Sequence, residues 1–310
     1  MPTPTPPILL SGASGMLGTA VRKALAARSQ PVLQLVRREP KDSSEIQWNP
    51  TTTPPLLHSE ALENLGAAIH LGGANLAAHR WTAAYKREMI ASRVKSTCVL
   101  ATALAALRHP PKVLLVASAT GFYGNRGDEF LDELSLPGSG FLADLCRQWE
   151  AAARPAVDAG IRVVHLRSGV IVTPLARPGQ GANQGALARM VPIFRLGLGG
   201  PLGSGRQWMS WISLADAVAA ILFCLDSPAL SGPVNLTAPH SVTNADFTRI
   251  LALQLGRRAI LPAPAFALRL FLGQMADEAL LASARVMPSR LTMAGFQFKH
   301  PTVAQALAAE

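Results

Sequence analysis

The chain of 310 residues has two tyrosines, Tyr85 and Tyr123, three cysteines, and only 5% aromatic residues. Cys98, Cys146 and Cys224 are far apart in sequence. No Cys-x-x-Cys occurs, and no Cys/His pair has metal-ligand spacing, so neither a disulfide framework nor a metal site is expected. Acidic residues are scarce: 19 Asp and Glu against 29 Lys and Arg leave a net charge of +10. The cations are 23 Arg and 6 Lys; the arginines are scattered, with only Arg37/Arg38 and Arg257/Arg258 as pairs. A nucleic-acid surface gathers its cations on one stripe with stacking aromatics, and neither is visible. The apolar stretch around Val113–Ala117 is too short to cross a bilayer. Residues 1–7, with Pro at 2, 4, 6 and 7, lack the charged and apolar regions of a signal peptide. They read as a disordered tail, and a cytoplasmic location is the expectation.

What is present is a βα alternation. Ile8–Ser11, Pro31–Val36, Ala67–Leu71, Lys112–Ser118, Ile161–Leu166 and Pro233–Leu236 read as strands. Helical spacing covers Met16–Ala27, Thr82–Leu107, Leu142–Ala159 and Ser213–Leu225. Strands alternating with helices imply βαβ units and a Rossmann-like, doubly wound parallel sheet in an α/β domain over residues 8–240. Residues 174–205 are rich in Gly and Pro, including Gly179, Gly181 and the run 197–205. They read as a loop, and 174–207 as a segment covering cofactor and substrate. Residues 241–310 read as a small, mostly helical C-terminal subdomain.

Gly12-Ala-Ser-Gly15-Met-Leu-Gly18 lies between the first strand and the first helix. Glycines there permit a tight turn and a close backbone approach to a pyrophosphate, which rests on the positive end of the helix. In that strand–turn–helix context the spacing points to a dinucleotide, held by Gly12, Ser14, Gly15, Met16, Leu17 and Gly18. An Asp or Glu closing the second strand would accept from the ribose 2′-hydroxyl of NAD. This chain has Arg37, Arg38 and then Glu39 there. Arginine suits a 2′-phosphate, which favours NADP(H) over NAD(H) with Arg37 ahead of Arg38. Glu39 keeps the NAD alternative open.

The glycine turn, Leu71-Gly-Gly-Ala74, Ser118-Ala-Thr-Gly-Phe-Tyr-Gly124 and Arg206-Gln-Trp-Met-Ser-Trp-Ile-Ser-Leu-Ala-Asp216 resemble the extended short-chain dehydrogenase/reductases. Arg80-Trp81 with Ser92-Arg93, residues 194–207, Pro288-Ser-Arg-Leu291 and Ala294-Gly-Phe-Gln-Phe298 resemble one atypical branch, the epimerase family proteins. The resemblance spans residues 8–309. It implies further cofactor contacts at Leu71, Gly72, Gly73, Ala117 and Arg167, and a serine position at Ser118. In the wider superfamily a Tyr-x-x-x-Lys pair supplies the acid/base. The matching positions here are Phe141 and Leu145, which carry neither hydroxyl nor charge.

Tyr123 is then the remaining candidate proton donor beside Ser118, against its reading as a packing residue in a turn. Lys86 and Asp144 are weaker candidates. Arg93, Arg206 and Gln207 are candidate substrate contacts, Arg167 alternatively a loop tether, and Asp216 a helix-capping group. Three functions compete: an atypical NADP(H)-dependent oxidoreductase on an unknown carbonyl or sugar-like substrate, a non-catalytic NADPH-sensing or regulatory protein, and a nucleotide-sugar epimerase. A monomer or homodimer is expected, with helices 82–107 and 142–159 as the dimer surface that the resemblance implies.

Overall fold

The computed structural model describes residues 5–52, 54–57, 59–176 and 183–308. Part of the expected covering segment, 177–182, and residues 1–4 of the expected tail lie outside them. An eight-stranded sheet organises the chain. Its strands are β1 (Ile8–Ser11), β2 (Val32–Val36), β3 (Glu45–Asn49), β4 (Leu56–Leu57), β5 (Ala67–His70), β6 (Val113–Ala119), β7 (Arg162–Ser168) and β8 (Gly232–Leu236). The spatial order is β8-β7-β6-β5-β1-β2-β3-β4. β1 pairs in parallel with both β2 and β5, β5 with β6, and β2 with β3, while β4 closes the edge antiparallel to β3. Strand order therefore reverses at β1/β5, which makes a crevice at their C-terminal ends.

The central strands are buried on both faces, which explains their unbroken apolar runs. β1 and β5 have no exposed position. The helices are α1 (Met16–Ala27), α2 (Ala83–Ile90), α3 (Ser96–Ala105), α4 (Phe141–Ala151), α5 (Arg154–Asp158), α6 (Leu187–Arg195), α7 (Leu214–Asp226) and α8 (Asn244–Gln254), followed by the shorter α9 (Ala265–Leu272), α10 (Ser289–Met293) and α11 (Val303–Leu307). Two spans expected as single helices are interrupted. A π-helical turn, Ala91–Lys95, separates α2 from α3, and Pro155 at the start of α5 ends the run from α4. One span expected as loop contains a helix. Leu187, Val191 and Phe194 in α6 recur at helical spacing and are buried, although glycine-rich chain surrounds them.

The chain forms two compact units, neither continuous in sequence. The first comprises residues 1–118, 145–166 and 221–233. Its core packs Leu9, Leu35, Leu100, Leu104, Leu114 and Trp149. The carbonyls of Pro6 and Pro7 accept hydrogen bonds from Gln30 Nε2 and the Gly66 N–H, so these residues are tied to the sheet. The second unit comprises 119–144, 167–220 and 234–310. Its core includes Phe194, Trp211, Phe247, Leu251 and Val303.

Within the second unit, Asp216 in the first turn of α7 anchors the C-terminal chain. It accepts from the Lys299 N–H at 2.7 Å, the His300 N–H at 2.9 Å and Ser213 Oγ at 2.9 Å, and it is 1% exposed. Its own N–H donates to Ser213 Oγ, so the pair caps the helix. Removing the carboxylate leaves two N–H donors unpaired. Asp216→Ala is therefore expected to cost roughly 2–4 kcal/mol in urea unfolding. A loss below about 1 kcal/mol would contradict this anchoring role.

Candidate functional site

The turn after β1 is built for backbone contact. Gly12 has φ +72°, and a Cβ there would lie 2.8 Å from the Leu71 carbonyl carbon. A Cβ on Gly18 would lie 2.1 Å from the Gly12 carbonyl oxygen. Only glycine fits either position, so α1 packs directly on the turn. The Gly15 N–H donates to Gly12 O at 3.0 Å and closes the loop. No side chain caps α1, and no acidic residue stands in its first turn. The N–H groups around Met16 and Leu17 are thus available to an anion at the positive end of the helix. Ser14 and Gly15 are exposed beside them.

Leu71, Gly72 and Gly73 follow β5, with the Leu71 N–H donating to Ser11 O at 3.3 Å. The structure brings these residues against the glycine turn, at the crevice where the strand order reverses. Under this junction lies a buried polar chain. His70 Nδ1 is 2.5 Å from Ser11 Oγ, and His70 Nε2 is 3.1 Å from Ser96 Oγ. Ser96 Oγ donates its single proton to Ser92 O at 2.8 Å, so it accepts from His70 Nε2–H. That assigns the neutral tautomer, with Nδ1 accepting from Ser11. Complete burial pushes the His70 pKa down to about 4.

At the C-terminal end of β2 the two arginines differ. Arg38 forms a two-pronged pair with Glu45, at 2.5 and 2.7 Å. That pair, with the Lys41 N–H, holds the Glu45 carboxyl down at about 2. Arg37 is exposed and has no hydrogen-bond or ion-pair partner among the described residues. Glu39 is exposed as well, and its carbonyl accepts from Arg38.

Ala117 and Ser118 lie near the end of β6 on opposite faces. Ser118 shares the face of Leu114 and Val116, is 4% exposed, and donates to Glu150 Oε1 on α4 at 2.7 Å. Glu150 was not legible as a partner, because 32 residues separate it from Ser118 and no spacing rule links them. Phe141 and Leu145 stand on the same helix.

Tyr123 and Arg167 belong to the second unit. The Tyr123 hydroxyl donates to Asn235 Oδ1 at 2.7 Å and accepts from Arg167 Nη1 at 3.0 Å. Burial raises its pKa to about 12 against the opposing Arg167 charge. The phenol has no exposure, so both its hydrogen-bonding roles are used inside packed protein. Arg167 is 4% exposed and also stacks 3.5 Å over the Phe122 ring, which favours the tether among its two sequence readings. Arg93 is buried in the first unit, under Gly73. Gln207 is buried and donates to Leu202 O and Leu280 O, while Arg206 is exposed nearby in the chain. Lys86 and Asp144 lie on α2 and α4.

Comparison with known proteins agrees with this geometry. The model of the NAD dependent epimerase/dehydratase family matches residues 8–236. The chain belongs to that family. A domain of unknown function (DUF1731) matches residues 263–310. The epimerase family protein Mb2239 of Mycobacterium bovis is 45% identical over 300 residues, covering 97% of this chain and 96% of that protein. The structure of human epimerase family protein SDR39U1 (isoform 2) with NADPH is 32% identical, with a TM-score of 0.85, covering 96% of this chain and 97% of that one. The nucleoside-diphosphate sugar epimerase of Corynebacterium glutamicum is 32% identical with a TM-score of 0.76, covering 97% of this chain and 57% of that one. Among the described residues, no helix is long and apolar enough to cross a membrane.

The buried histidine sets a pH dependence. Its folded pKa lies below the ordinary value of 6.5, so the unfolded chain binds the proton more tightly. Stability is complete above pH 6.5 and falls as the pH drops toward about 4, by about 3 kcal/mol in all. Urea unfolding at pH 7.5 and 4.5 should show a loss about 2–3 kcal/mol smaller in His70→Asn than in the wild type. Parallel losses would contradict a neutral buried His70.

Proposed function

We propose that this protein binds NADP(H) and works as an oxidoreductase on a small carbonyl compound. One observation carries the reading: a turn at the β1/β5 reversal that admits no side chain at Gly12 or Gly18, with Arg37, just after β2, lacking a partner among the described residues. Gly12, Gly15 and Gly18 would border the nucleotide, in a turn packed so closely on Leu71 and α1 that neither Gly12 nor Gly18 could carry a Cβ. The N–H groups of Ser14–Leu17 would hold the pyrophosphate, and Leu71–Gly73 would border it. Arg37 would hold the 2′-phosphate, since Glu45 already neutralises Arg38. The NADPH in the human relative's structure supports NADP(H) as the nucleotide.

When bound, the nicotinamide supplies hydride from C4 to a carbonyl carbon, and the carbonyl oxygen then needs a proton. In this proposal the Ser118 hydroxyl, which donates its one proton to Glu150 in the free protein, turns that proton to the carbonyl oxygen when substrate is bound. Tyr123 is the weaker choice, because a buried phenol with a pKa near 12 is a poor acid at neutral pH. The proton then comes from water. Arg206 is exposed beside the glycine-rich run and remains a substrate contact in this proposal. A cytoplasmic site of action is part of the same reading.

A sensor without turnover is the second reading. It is favoured by the commitment of the Tyr123 and Ser118 hydroxyls to internal partners. Epimerisation of a nucleotide sugar, suggested by the Corynebacterium relative's name, finds no acid/base at Phe141 or Leu145.

Titration with NADPH and NADH, followed by a carbonyl panel, separates these readings. Micromolar NADPH affinity is expected, with NADH weaker. Arg37→Ala should weaken NADPH roughly 10- to 100-fold and leave NADH almost unchanged, as expected for loss of a charge-assisted phosphate contact. Arg38→Ala should change NADPH far less. Equal losses for both nucleotides would remove the 2′-phosphate assignment. NADPH oxidation that disappears in both Ser118→Ala and Glu150→Gln supports the enzyme. Tight NADPH binding with no oxidation across the panel supports the sensor.

A further inference from the structure

The π-helical turn Ala91–Lys95 carries side chains that the nucleotide reading does not use. Ser92 Oγ accepts from the Ala74 N–H at 3.1 Å and donates to Met89 O at 3.1 Å. Arg93 Nη2 donates to Ala74 O at 2.9 Å. Both backbone polar groups of Ala74 are therefore held by adjacent residues of one turn. Ser96, the first residue after it, continues through His70 to Ser11, the residue before Gly12. The turn thus reaches both loops at the β1/β5 crevice. A π turn has poorer hydrogen-bond geometry than an α-helix and recurs where a site needs its altered register.

Arg93 adds charge to this clamp. A Cβ on Gly73 would lie 3.2 Å from Arg93 Cζ, so the guanidinium packs directly against the glycine backbone. Trp149 lies on another side, with its ring centroid 5.1 Å from Arg93 Cζ. Arg93 is 7% exposed, and burial lowers its pKa. Among the described residues no carboxylate lies within ion-pair distance of it, and its hydrogen bonds go to carbonyls and to Ser92 Oγ. A buried cation without a counter-ion favours an anion nearby. Here the guanidinium is covered by the Gly73 backbone, and Gly73 is itself exposed.

We propose that Ser92 and Arg93 are positioning residues for the dinucleotide. The clamp on Ala74 fixes the Gly72–Gly73 backbone against the glycine turn, and the Arg93 charge favours a phosphate-bearing ligand above Gly73. This inference rests on the NADP(H) reading.

The test is NADPH affinity in four variants, each paired with the melting temperature of the nucleotide-free protein. Ser92→Ala and Arg93→Met should bind NADPH about tenfold more weakly, about 1.4 kcal/mol, with nearly wild-type melting. Ser92→Thr keeps the hydroxyl and Arg93→Lys keeps the charge, so both should recover most of the affinity. Wild-type affinity in Ser92→Ala and Arg93→Met overturns the inference. So does a loss that tracks a lowered melting temperature and is not rescued by the conservative variants. If the variants do not fold, amide exchange of the wild-type protein decides. NADPH should slow exchange at Gly72, Gly73 and Ala74, and unchanged exchange there overturns the inference. Failure of the wild type to bind NADPH at all instead overturns the functional reading, and this inference with it.

Discussion

Just beyond the ends of β1 and β5, no side chain fits at Gly12 or, where α1 packs on the turn, at Gly18. Gly12 stands against Leu71 and Gly72, and Gly18 stands against Gly12, at distances that a Cβ would violate. The recognition surface is consequently backbone: N–H groups at the start of α1 and the chain at Leu71–Gly73. Backbone dipoles suit an anion and cannot be retuned by side-chain movement. Glycine chains lose more entropy on ordering, so such a turn needs rigid neighbours. The fully buried strands β1 and β5 supply them on one side. The π turn, acting through Ser92, Arg93 and Ser96, supplies them on the other.

The parts of this arrangement legible in sequence are those with local causes. Ile8–Ser11, the glycine spacing and the helix from Met16 follow one another within 20 residues, and each has its own signal. The central strands were legible because burial on both faces makes their apolar runs continuous. β3 was harder to see: Ile46 and Trp48 alternate inward, but polar residues dominate Glu45–Asn49. α6 was hidden by the glycines and prolines around it. The π turn leaves no composition signal, since Ala91–Lys95 would also suit an ordinary helix.

Partners distant in sequence were not legible. Arg37 and Arg38 are adjacent and chemically identical, and only the pairing of β2 with β3 brings Glu45 to Arg38. Ser118 stood out through the family resemblance and Tyr123 as a tyrosine near the end of β6. Their partners, Glu150 and Asn235, lie 32 and 112 residues away. The same holds for Arg93, whose inward turn depends on Gly73 and Trp149. In each case the residue type was visible and the direction of its polar group was not.

The central claim is that the bare turn, with Arg37 beside it, holds a phosphorylated dinucleotide. A crystal structure of the protein grown with NADPH tests it most directly. The account predicts the pyrophosphate against the N–H groups of Ser14–Leu17, and the 2′-phosphate within hydrogen-bond distance of Arg37 with the Arg38–Glu45 pair intact. A nucleotide bound away from the glycine turn, or a 2′-phosphate held by Arg38 after release of Glu45, would contradict it.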